Sequence, residues 1–591
     1  MDLHEIKRIL KDHLTHLLES MPDQKDLVID PELTKPLDRV AGIAFLKEHG
    51  VDKIFKLEPS QKSLPGRGKR IYLVRANMLN MKYIADQITA ERRLGQTREY
   101  IVIMVPRRLH VCEVILENEG VFGHVTLEEF RLDLFPLDTD LLSLEMHSLF
   151  KSFYLEGDYT HIHTVASSLV TLQHLYGRIP NVYAIGKLSK MTYDLMKTMH
   201  DHEEGQQTKF SIGQLYIIDR EVDFVTPMCT PMTYEALLDE TFGIECGVIE
   251  LGAEIVGKQQ NVKMLLTSND PIYTEIRDCH FSSVFPFLSA KAKELHAIHE
   301  KKNSLTSIGD LKNFVTQDLG RLKQQQAALS HHISACEHIM KTKMKQDFES
   351  AIRAEHNLLE GSETRECIAY MENTLYRQDP YLSSLRLLCL LSLTQNGLTP
   401  RDYKTLKTDF LHSHGFEHLA TFFSLKKLGM LVEQEQTSKV AAVKLRRSQF
   451  RQLANKLGLV PKSGEEVMTK NPTDVSYVFG AAYAPLTVKI VEYILQHEAL
   501  QSFEDIGRML PGGIHTHVKY RAASKGAAKT TFLPVGQHSP RTVLVYFLGG
   551  CTFSEVAALR TLAQREKLQI IVATTAMITG PSLLDSVCER K

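Results

Sequence analysis

The sequence lacks the features that mark secreted and membrane-spanning proteins. Its nine cysteines stand singly, with no CxxC pair, which argues against a disulfide framework or a structural zinc site and favours reduced thiols. No stretch approaches the ~18 consecutive apolar residues of a membrane span. The first residues, MDLHEIKRILKDHL, contain no apolar core of a secretory signal. We therefore expect a cytosolic protein that reaches membranes only through its partners.

The sequence also lacks an excess of either charge. It has 70 Lys and Arg residues against 71 Asp and Glu residues, so no global field draws it to nucleic acid or to an anionic bilayer. With 43% hydrophobic and 24% charged residues its composition is that of a globular protein. At roughly 100 to 200 residues per domain, 591 residues predict about three to five domains or subdomains.

Strand and helix patterns alternate in the first third of the chain. A helix is predicted near 6–18 and another over 78–93, with strands at 52–58, 70–75 and 100–106. Further strands are predicted at 182–186 and 214–220, and a strand-helix-strand unit spans 542–575. Alternation of this kind predicts parallel sheets covered by helices. The simplest assembly lets the chain begin a second sheet, leave through a large helical insertion and return to complete it.

The insertion contains a long stretch without proline, since none occurs between Pro286 and Pro380. Apolar or small residues recur there at steps of three and four from Ile308 to Ile352, which indicates an amphipathic helix. Its length allows either one long helix or a hairpin that breaks near His331 and His332. A further helical pattern over 385–459 predicts a small helical subdomain.

The most distinctive stretch is IIDREVDFVTPMCTPMTYEALLDETFGI, at 217–244, which we call the signature segment. A buried strand ends in Asp219, a turn follows, and a helix begins near Tyr234. Asp219, Asp223 and Glu235 are a candidate carboxylate cluster for a metal ion or for acid-base chemistry. Alternatively, Arg220 pairs with these carboxylates and fixes a strand-to-helix crossover. The residue types favour the structural interpretation.

The signature segment resembles that of the SM (Sec/Munc) family, the cytosolic regulators of SNARE-mediated membrane fusion. Matching motifs occur in order along the chain, among them PLDRVAGIAFLKEHGVDKIFKLE, FPLDTDLLSLE, LKNFVTQDLGRLKQQQAALSHHISACEHI, YVFGAAYAPL and VLVYFLGGCTFSEVAALR. The resemblance covers essentially the whole chain. It is strongest to the class C vacuolar-sorting subfamily of the thirty-three type, B paralogue. Residues of the signature carry it most specifically: Asp219, Arg220, Asp223, Thr226, Pro227, Tyr234, Glu235 and Asp239.

The resemblance implies an α/β plus helical protein with an arch-shaped, three-domain SM fold. It implies a first α/β domain at 1–137 and a second α/β domain made of 138–245 and 475–591. A mostly helical third domain at 246–474 lies between these two halves. This third domain is expected to hold a template hairpin at about 305–360 and a small subdomain at about 385–460.

The resemblance further implies a non-enzymatic trafficking factor without cofactor or metal. In this family a cleft between the first and third domains holds a syntaxin-type SNARE, and the long helical hairpin offers a surface to a second SNARE. By position, the candidate SNARE-reading residues, all expected to be exposed, are Lys312, Lys323, Gln326 and His332. A groove with apolar anchors and a polar rim is a physically reasonable way to recognise an amphipathic helix.

Vacuolar-sorting members of the family also bind an elongated helical-repeat subunit, here expected to be of the VIPAR type. The matching stretch is SLKKLGMLVEQ, and its candidate interface residues are Leu425, Lys426, Lys427, Leu428 and Leu431. Peripheral localisation on the cytosolic face of late endosomes, lysosomes and recycling endosomes follows from the resemblance. The alternative hypothesis is a metal- or nucleotide-dependent hydrolase that uses Asp219, Asp223 and Glu235.

Overall fold

The computed structural model divides into two compact units, residues 1–145 and 146–591. Within these units it describes residues 3–59, 64–66, 68–201, 211–303, 319–343, 346–434, 449–461, 472–496, 500–518, 521–522, 531–532 and 541–588. The boundary between the two units lies between Glu145 and Met146. The finer domain limits inferred from the family resemblance stay predictions.

The first unit is built on a parallel sheet. Its strand order is Val51–Lys56, Lys25–Ile29, Lys69–Arg75, Tyr100–Val105 and Val125–Glu129. The central strands are buried along almost their whole length, as expected for a sheet covered on both faces. A short antiparallel pair, Phe135–Pro136 with Leu141–Ser143, follows. The helices are His4–Glu19, Pro31–Val40, Ile43–Glu48, Met78–Arg93 and His110–Asn118.

The strand Lys25–Ile29 is absent from the sequence-based prediction, although it lies next to the centre of the sheet. Its five residues KDLVI are all buried, including Lys25 and Asp26. Asp30, directly after it, accepts hydrogen bonds from the amides of Glu32 (3.0 Å) and Arg75 (3.1 Å). Two of the five residues in this strand are charged, so the strand shows neither an apolar run nor an alternation of apolar and polar residues from which it could be predicted.

The second unit contains a sheet whose strands come from two distant parts of the chain. Within this unit the order is Ile514–Val518, Asn181–Ile185, Gln214–Asp219, Thr542–Leu548 and Gln569–Thr574. Gln214–Asp219 pairs in parallel with Thr542–Leu548, and only Ile514–Val518 is antiparallel to its neighbour among these strands. The chain thus leaves this sheet and returns to complete it. The predicted fold class, with its parallel-sheet α/β domains and a large helical insertion, is confirmed.

Helices make up most of the remaining second unit. Those before the insertion are Ile162–Tyr176, Lys187–Asp201, Val225–Met228 and Tyr234–Phe242. The insertion contains a two-stranded sheet, Val248–Leu251 with Val262–Leu265, and the helices Ala253–Val256, Pro271–Ile276, Phe281–Asn303, Leu319–Lys343, Gln346–Glu360, Thr364–Tyr376, Tyr381–Thr394, Pro400–His414, His418–Leu428 and Phe450–Leu457. The last helices are Leu486–Gln496, Leu500–Gly507, Phe553–Glu566 and Gly580–Val587. Across the described residues, no helix is both long and apolar enough to cross a membrane.

Of the two alternatives for this stretch, one long helix or a hairpin that breaks near His331 and His332, the structure shows no break at these two residues. Leu319–Lys343 is one uninterrupted helix that passes through both residues, and we call it the long helix. It contains neither glycine nor proline between Arg321 and Lys343, so nothing in its sequence interrupts the backbone hydrogen bonds. It packs against Phe281–Asn303, while the first part of the predicted template hairpin, 304–318, lies outside the described residues.

Candidate functional site

The signature segment begins where a central strand ends. The carboxylate of Asp219 accepts hydrogen bonds from the amides of Leu188 and Ser189, both at 2.8 Å, and from the Ser189 hydroxyl. It therefore caps the helix Lys187–Asp201. Gly186 makes this approach possible: its φ is +115°, and a Cβ there would lie 2.2 Å from Asp219 Oδ2. The Asp219 carboxylate thus links the end of its own strand, Gln214–Asp219, to the start of the earlier helix Lys187–Asp201.

Arg220 is completely buried, and its side chain contacts the helix Phe553–Glu566, which follows the strand Thr542–Leu548 of the second sheet. Its guanidinium contacts Glu555 Oε2 at 2.8 Å and donates to the Asp223 carbonyl oxygen at 2.6 and 3.0 Å. Burial by itself would lower the pKa of Arg220, but Glu555 and Asp223 outweigh it and raise the pKa. The pairing with Arg220 likewise overcomes burial and lowers the pKa of Glu555. Both groups therefore remain charged, and each depends on the other.

The Asp223 carboxylate connects the signature turn to a segment more than 250 residues later. It accepts hydrogen bonds from the amides of Thr226 (2.9 Å) and Leu486 (3.1 Å) and lies 3.4 Å from the Tyr483 hydroxyl. Burial raises the pKa of Asp223, although Arg220 acts in the opposite direction. Both oxygens of the Asp223 carboxylate accept hydrogen bonds from groups of this chain, as expected of a carboxylate with a structural role.

Glu235 has a different set of partners. It accepts a hydrogen bond from the Tyr273 hydroxyl and contacts Arg560 at 2.8 Å, while burial raises its pKa. Asp239, one turn later, accepts from the Ile244 amide at 2.8 Å, just beyond the end of the helix Tyr234–Phe242, which we call the signature helix. The remaining signature residues Thr226, Pro227 and Tyr234 are buried in the same region.

These contacts bear on the hydrolase alternative. Asp219, Asp223 and Glu235 are held by separate groups from different helices, and they form no shared ligand set. In the part of the chain that the structure describes, no group of three His, Cys, Asp or Glu side chains could hold a metal ion. The geometry therefore favours the structural interpretation of the signature segment.

Sequence reasoning missed an arginine that joins the signature to the helical insertion. Arg386 is buried in the helix Tyr381–Thr394 and contacts Glu240, Glu355 (3.3 Å) and the Met228 carbonyl oxygen (2.9 Å). The negative charges of Glu240 and Glu355 overcome burial and raise its pKa. A single arginine in the otherwise apolar run LRLLCLLSL was the available signal, because a buried charge needs partners.

The long helix presents two of the predicted SNARE-reading residues. Lys323 and Gln326 are exposed, and Lys312 lies outside the described residues. The prediction that His332 is exposed is wrong, because its side chain is completely buried. His332 Nδ1 lies 2.9 Å from the Tyr234 hydroxyl and Nε2 lies 3.2 Å from Asp270 Oδ2. These two hydrogen bonds allow a polar ring to be buried on the inner side of the helix.

The predicted subunit interface is only partly accessible. Leu425, Leu428 and Leu431 are buried, so their side chains offer no surface to another chain. Lys426 and Lys427 are exposed, and Lys427 Nζ donates to the Leu155 carbonyl oxygen at 2.6 Å. Leu425 and Leu428 face inward because they follow the helical repeat of the buried Thr421 and Phe422 face, while Leu431 is buried beyond the end of the helix at Gly429.

The outer face of the same region carries apolar side chains that sequence reasoning did not select. They are Phe416, Leu419 and Phe423, which are 63%, 47% and 70% exposed. Their spacing of three and four residues brings them to one side of the helix His418–Leu428 and the turn before it. We call these three residues the apolar ridge. Apolar residues at steps of three and four are the signal in the sequence, and the structure shows that these three are exposed.

Comparison with known proteins gives one consistent result. The Sec1 family matches residues 25–586. The chain is 41% identical to vacuolar protein sorting-associated protein 33B of Homo sapiens, over 100% of this chain and 98% of that protein. It is 34% identical to vacuolar protein sorting-associated protein 33A of Rattus norvegicus with the same coverage.

Solved structures agree on the fold. The structure is similar to that of the Unc18–syntaxin 1 complex from Monosiga brevicollis, with a TM-score of 0.61 and 19% identity over 100% of this chain and 99% of that one. It is also similar to the SM protein Vps45 in complex with the Qa SNARE Tlg2, with a TM-score of 0.62 and 15% identity over 99% and 98% of the two chains.

Proposed function

The chain belongs to the Sec1 family of SM proteins, and on this premise we propose that it regulates SNARE-mediated docking and fusion of transport vesicles by binding, without catalysing a reaction. The observation that carries the proposal is the family match over 25–586 together with the full-length identity to the vacuolar sorting 33 proteins. The internal hydrogen bonds of the signature carboxylates are consistent with it, since they leave no cluster arranged for chemistry.

The long helix is the surface that we propose for contact with a syntaxin-type SNARE. Lys323 and Gln326 lie exposed on it, and Met340, 44% exposed, adds an apolar group near its end. An amphipathic SNARE helix needs apolar contacts for affinity and polar contacts for selection. A long side chain with a positive charge at 323 suits an acidic position on the partner helix.

The proposal is tested by measuring binding of the full-length chain to a panel of purified SNARE motifs. We expect at least one motif to bind, and we expect Lys323→Glu combined with Gln326→Glu to weaken that binding at least tenfold. Lys404→Glu is the matched control, because Lys404 is an exposed lysine on another helix, Pro400–His414. Equal binding by all three proteins would remove the long helix from the proposal, and binding to no motif would contradict the function itself.

We further propose that the chain pairs with a helical-repeat subunit of the VIPAR type and is thereby brought to the cytosolic face of late endosomes, lysosomes and recycling endosomes. The resemblance to the B-type subfamily supports this pairing. On this chain the accessible candidates are Lys426 and Lys427, beside the apolar ridge. Exposed aromatic residues flanked by lysines can supply both the buried anchors and the charged rim of an interface.

Co-purification of the VIPAR-type subunit with the tagged full-length chain tests this pairing. We expect Phe423→Asp and Lys426→Asp each to abolish co-purification while the melting temperature changes little. Phe285→Asp is the control, since Phe285 is 50% exposed on another helix. Lys427→Asp should act in the same direction, but it also removes the contact with Leu155. Retention of the subunit by Phe423→Asp would place the interface elsewhere.

A further inference from the structure

The buried His332 lies in a polar cluster that joins the long helix to the signature segment. Besides the contacts of its two ring nitrogens with Tyr234 and Asp270, its ring stacks on Tyr273 with centroids 6.1 Å apart and planes 6° from parallel. Cys336, one turn further along the long helix, is also buried, and after burial itself its proximity contributes to raising the pKa of Tyr234. We call these five residues, Tyr234, Asp270, Tyr273, His332 and Cys336, the His332 cluster.

The hydrogen bonds of the cluster determine how the ring is oriented. Asp270 is a carboxylate that also accepts from the amides of Ile272 and Tyr273, so the His332 Nε2–H donates to it. Burial would raise the pKa of Asp270, but the hydrogen bonds from His332 and from these amides lower it. In the tautomer with the proton on Nε2, His332 Nδ1 accepts from the Tyr234 hydroxyl. Both ring nitrogens are satisfied in this one orientation.

The signature segment contacts the same face of the long helix a second time, further along. Lys343 Nζ lies 3.2 Å from Glu240 Oε2. Since an α-helix turns about 100° per residue, Lys343, eleven residues after His332, projects within about 20° of it. Between these two points, the rings of Phe242 and His338 are 5.3 Å apart. The signature helix Tyr234–Phe242 therefore contacts the long helix over about three turns, at His332 and Lys343 on one face and at His338, which projects about 120° away from His332.

The opposite side of the long helix carries a predicted SNARE-reading residue. Lys323 stands nine residues before His332, and nine steps of about 100° place it about 180° away. Any rotation that withdrew His332 from its partners would leave buried polar atoms without hydrogen bonds, which is unfavourable. Apolar packing alone is non-directional and would hold the rotation less strictly. Buried polar groups are known to fix register in helical assemblies in this way.

We propose that Tyr234, Asp270 and His332 are positioning residues that fix the rotation of the long helix, so that Lys323 faces outward to the partner helix. The expected effect on SNARE binding rests on the proposed function, because these three residues do not contact the partner themselves. In this proposal the signature segment holds in place the helix face that binds the SNARE, and the segment does not contact the SNARE itself.

Hydrogen exchange of the full-length chain, followed by mass spectrometry, tests the positioning directly. We expect His332→Ala to accelerate exchange at least tenfold in peptides of 319–343 and to leave peptides of 542–548 unchanged. Tyr234→Phe removes only the hydroxyl and should produce a smaller acceleration in the same peptides. His331→Ala is the matched control, because the neighbouring His331 ring is directed at the exposed Lys258, whose Nζ lies 3.3 Å from its Nε2.

The same proteins are then compared for binding to a SNARE motif that the wild-type chain binds. We expect His332→Ala and Tyr234→Phe to weaken binding at least fivefold and His331→Ala to leave it unchanged. Unaltered exchange in 319–343 for both variants would overturn the inference. Faster exchange with undiminished SNARE binding would overturn the positioning role. A wild-type chain that binds no SNARE motif would instead overturn the proposed function, while the exchange result would still decide whether the cluster holds the helix.

Discussion

At the scale of single residues, the charged side chains of the signature segment satisfy one another. Arg220, Asp223 and Glu555 are completely buried, and each has partners from a distant part of the sequence. Such groups are costly to bury alone and strongly destabilising when one partner is removed. Their contacts in the fold therefore account for their charges in structural terms.

Asp223→Asn is expected to lower stability and to have no catalytic consequence. An amide cannot offer the charge that Arg220 requires, nor two acceptor oxygens to the amides of Thr226 and Leu486. We expect a loss of about 2 kcal/mol in the free energy of unfolding, the typical value of hydrogen bonds to a charged group. Chemical denaturation of the variant and the wild type measures it.

The same preparation tests the hydrolase alternative. Divalent cations and nucleotides should leave the melting temperature of the wild-type protein unchanged, because a ligand that binds the native state raises it. A clear rise with either ligand that Asp223→Asn abolishes would contradict the structural role of this carboxylate.

Asp133 should make the first unit sensitive to pH. This partly buried carboxyl has its pKa raised to about 7, mainly by burial. The folded protein therefore holds a proton that the unfolded chain loses near pH 4, and stability falls as the pH rises from about 4 to 7. Asp133→Asn removes the titration, and at about 1.4 kcal/mol per pKa unit it should be more stable than the wild type by up to about 4 kcal/mol at pH 7.5.

The comparison at two pH values is the control for Asp133. At pH 5, where the folded wild type keeps the proton, the advantage of Asp133→Asn should be smaller than at pH 7.5. Thermal melts of both proteins at both pH values measure this difference. An advantage that is absent at pH 7.5, or that is independent of pH, would contradict a raised pKa at this position.

Sequence can identify these residues but not their partners. The pattern DREVDFVTP predicts that Arg220 pairs with nearby carboxylates, and its contact with Asp223 fits that expectation. Its closest carboxylate, however, is Glu555, 335 positions away. The capping pattern Thr552 to Glu555 is readable in the sequence. Its second role, as the counter-charge of Arg220, depends on which strands become neighbours, and local pattern does not contain that information.

At the scale of elements, helix starts and strand ends control the local geometry. Gly186 ends a strand at φ +115° and lies against Asp219, which caps the next helix. Gly243 ends the signature helix at φ +74°, and a Cβ at this position would meet no other atom within 4 Å. The two glycines share a positive φ that disfavours other residues, but only the first is also confined by its neighbours.

This difference predicts unequal effects of the same substitution. Gly243→Ala should cost about 1 kcal/mol, because only backbone strain opposes it. Gly186→Ala should cost clearly more, about 3 kcal/mol, because the methyl group would also displace the Asp219 carboxylate. Urea unfolding of the two variants measures the difference. Equal losses would show that the close approach at Gly186 has no energetic weight.

Periodicity predicts the helical character of the insertion but not the faces of its helices. The recurrence of apolar residues indicates a helix around 319–343, which the structure contains as one piece. Histidine is usually partly exposed, so residue type alone favours a surface position for His332. Its burial depends on Tyr234 and Asp270, which lie 98 and 62 positions earlier. Burial of a polar residue can be inferred only when its partners are known.

At the scale of the whole chain, the return of the last strands to the second sheet is predictable. Buried-strand runs at 214–219 and 542–548 are recognisable, and they pair directly in parallel. The order of strands within each sheet is not predictable from pattern, because every buried strand of a parallel sheet reads as a similar apolar run. The family resemblance supplies what periodicity cannot, and the match over 25–586 confirms it.

Site-specific photocrosslinking in cells tests the central claim, that the chain binds SNARE helices through the outer face of the long helix. A photoreactive amino acid is placed at Lys323 in the full-length chain, or at Lys404 on the helix Pro400–His414 as the control. We predict that the protein labelled at 323 captures a SNARE protein, identified by mass spectrometry, and that the protein labelled at 404 does not. Capture of no SNARE at 323, or equal capture at both positions, would contradict the account.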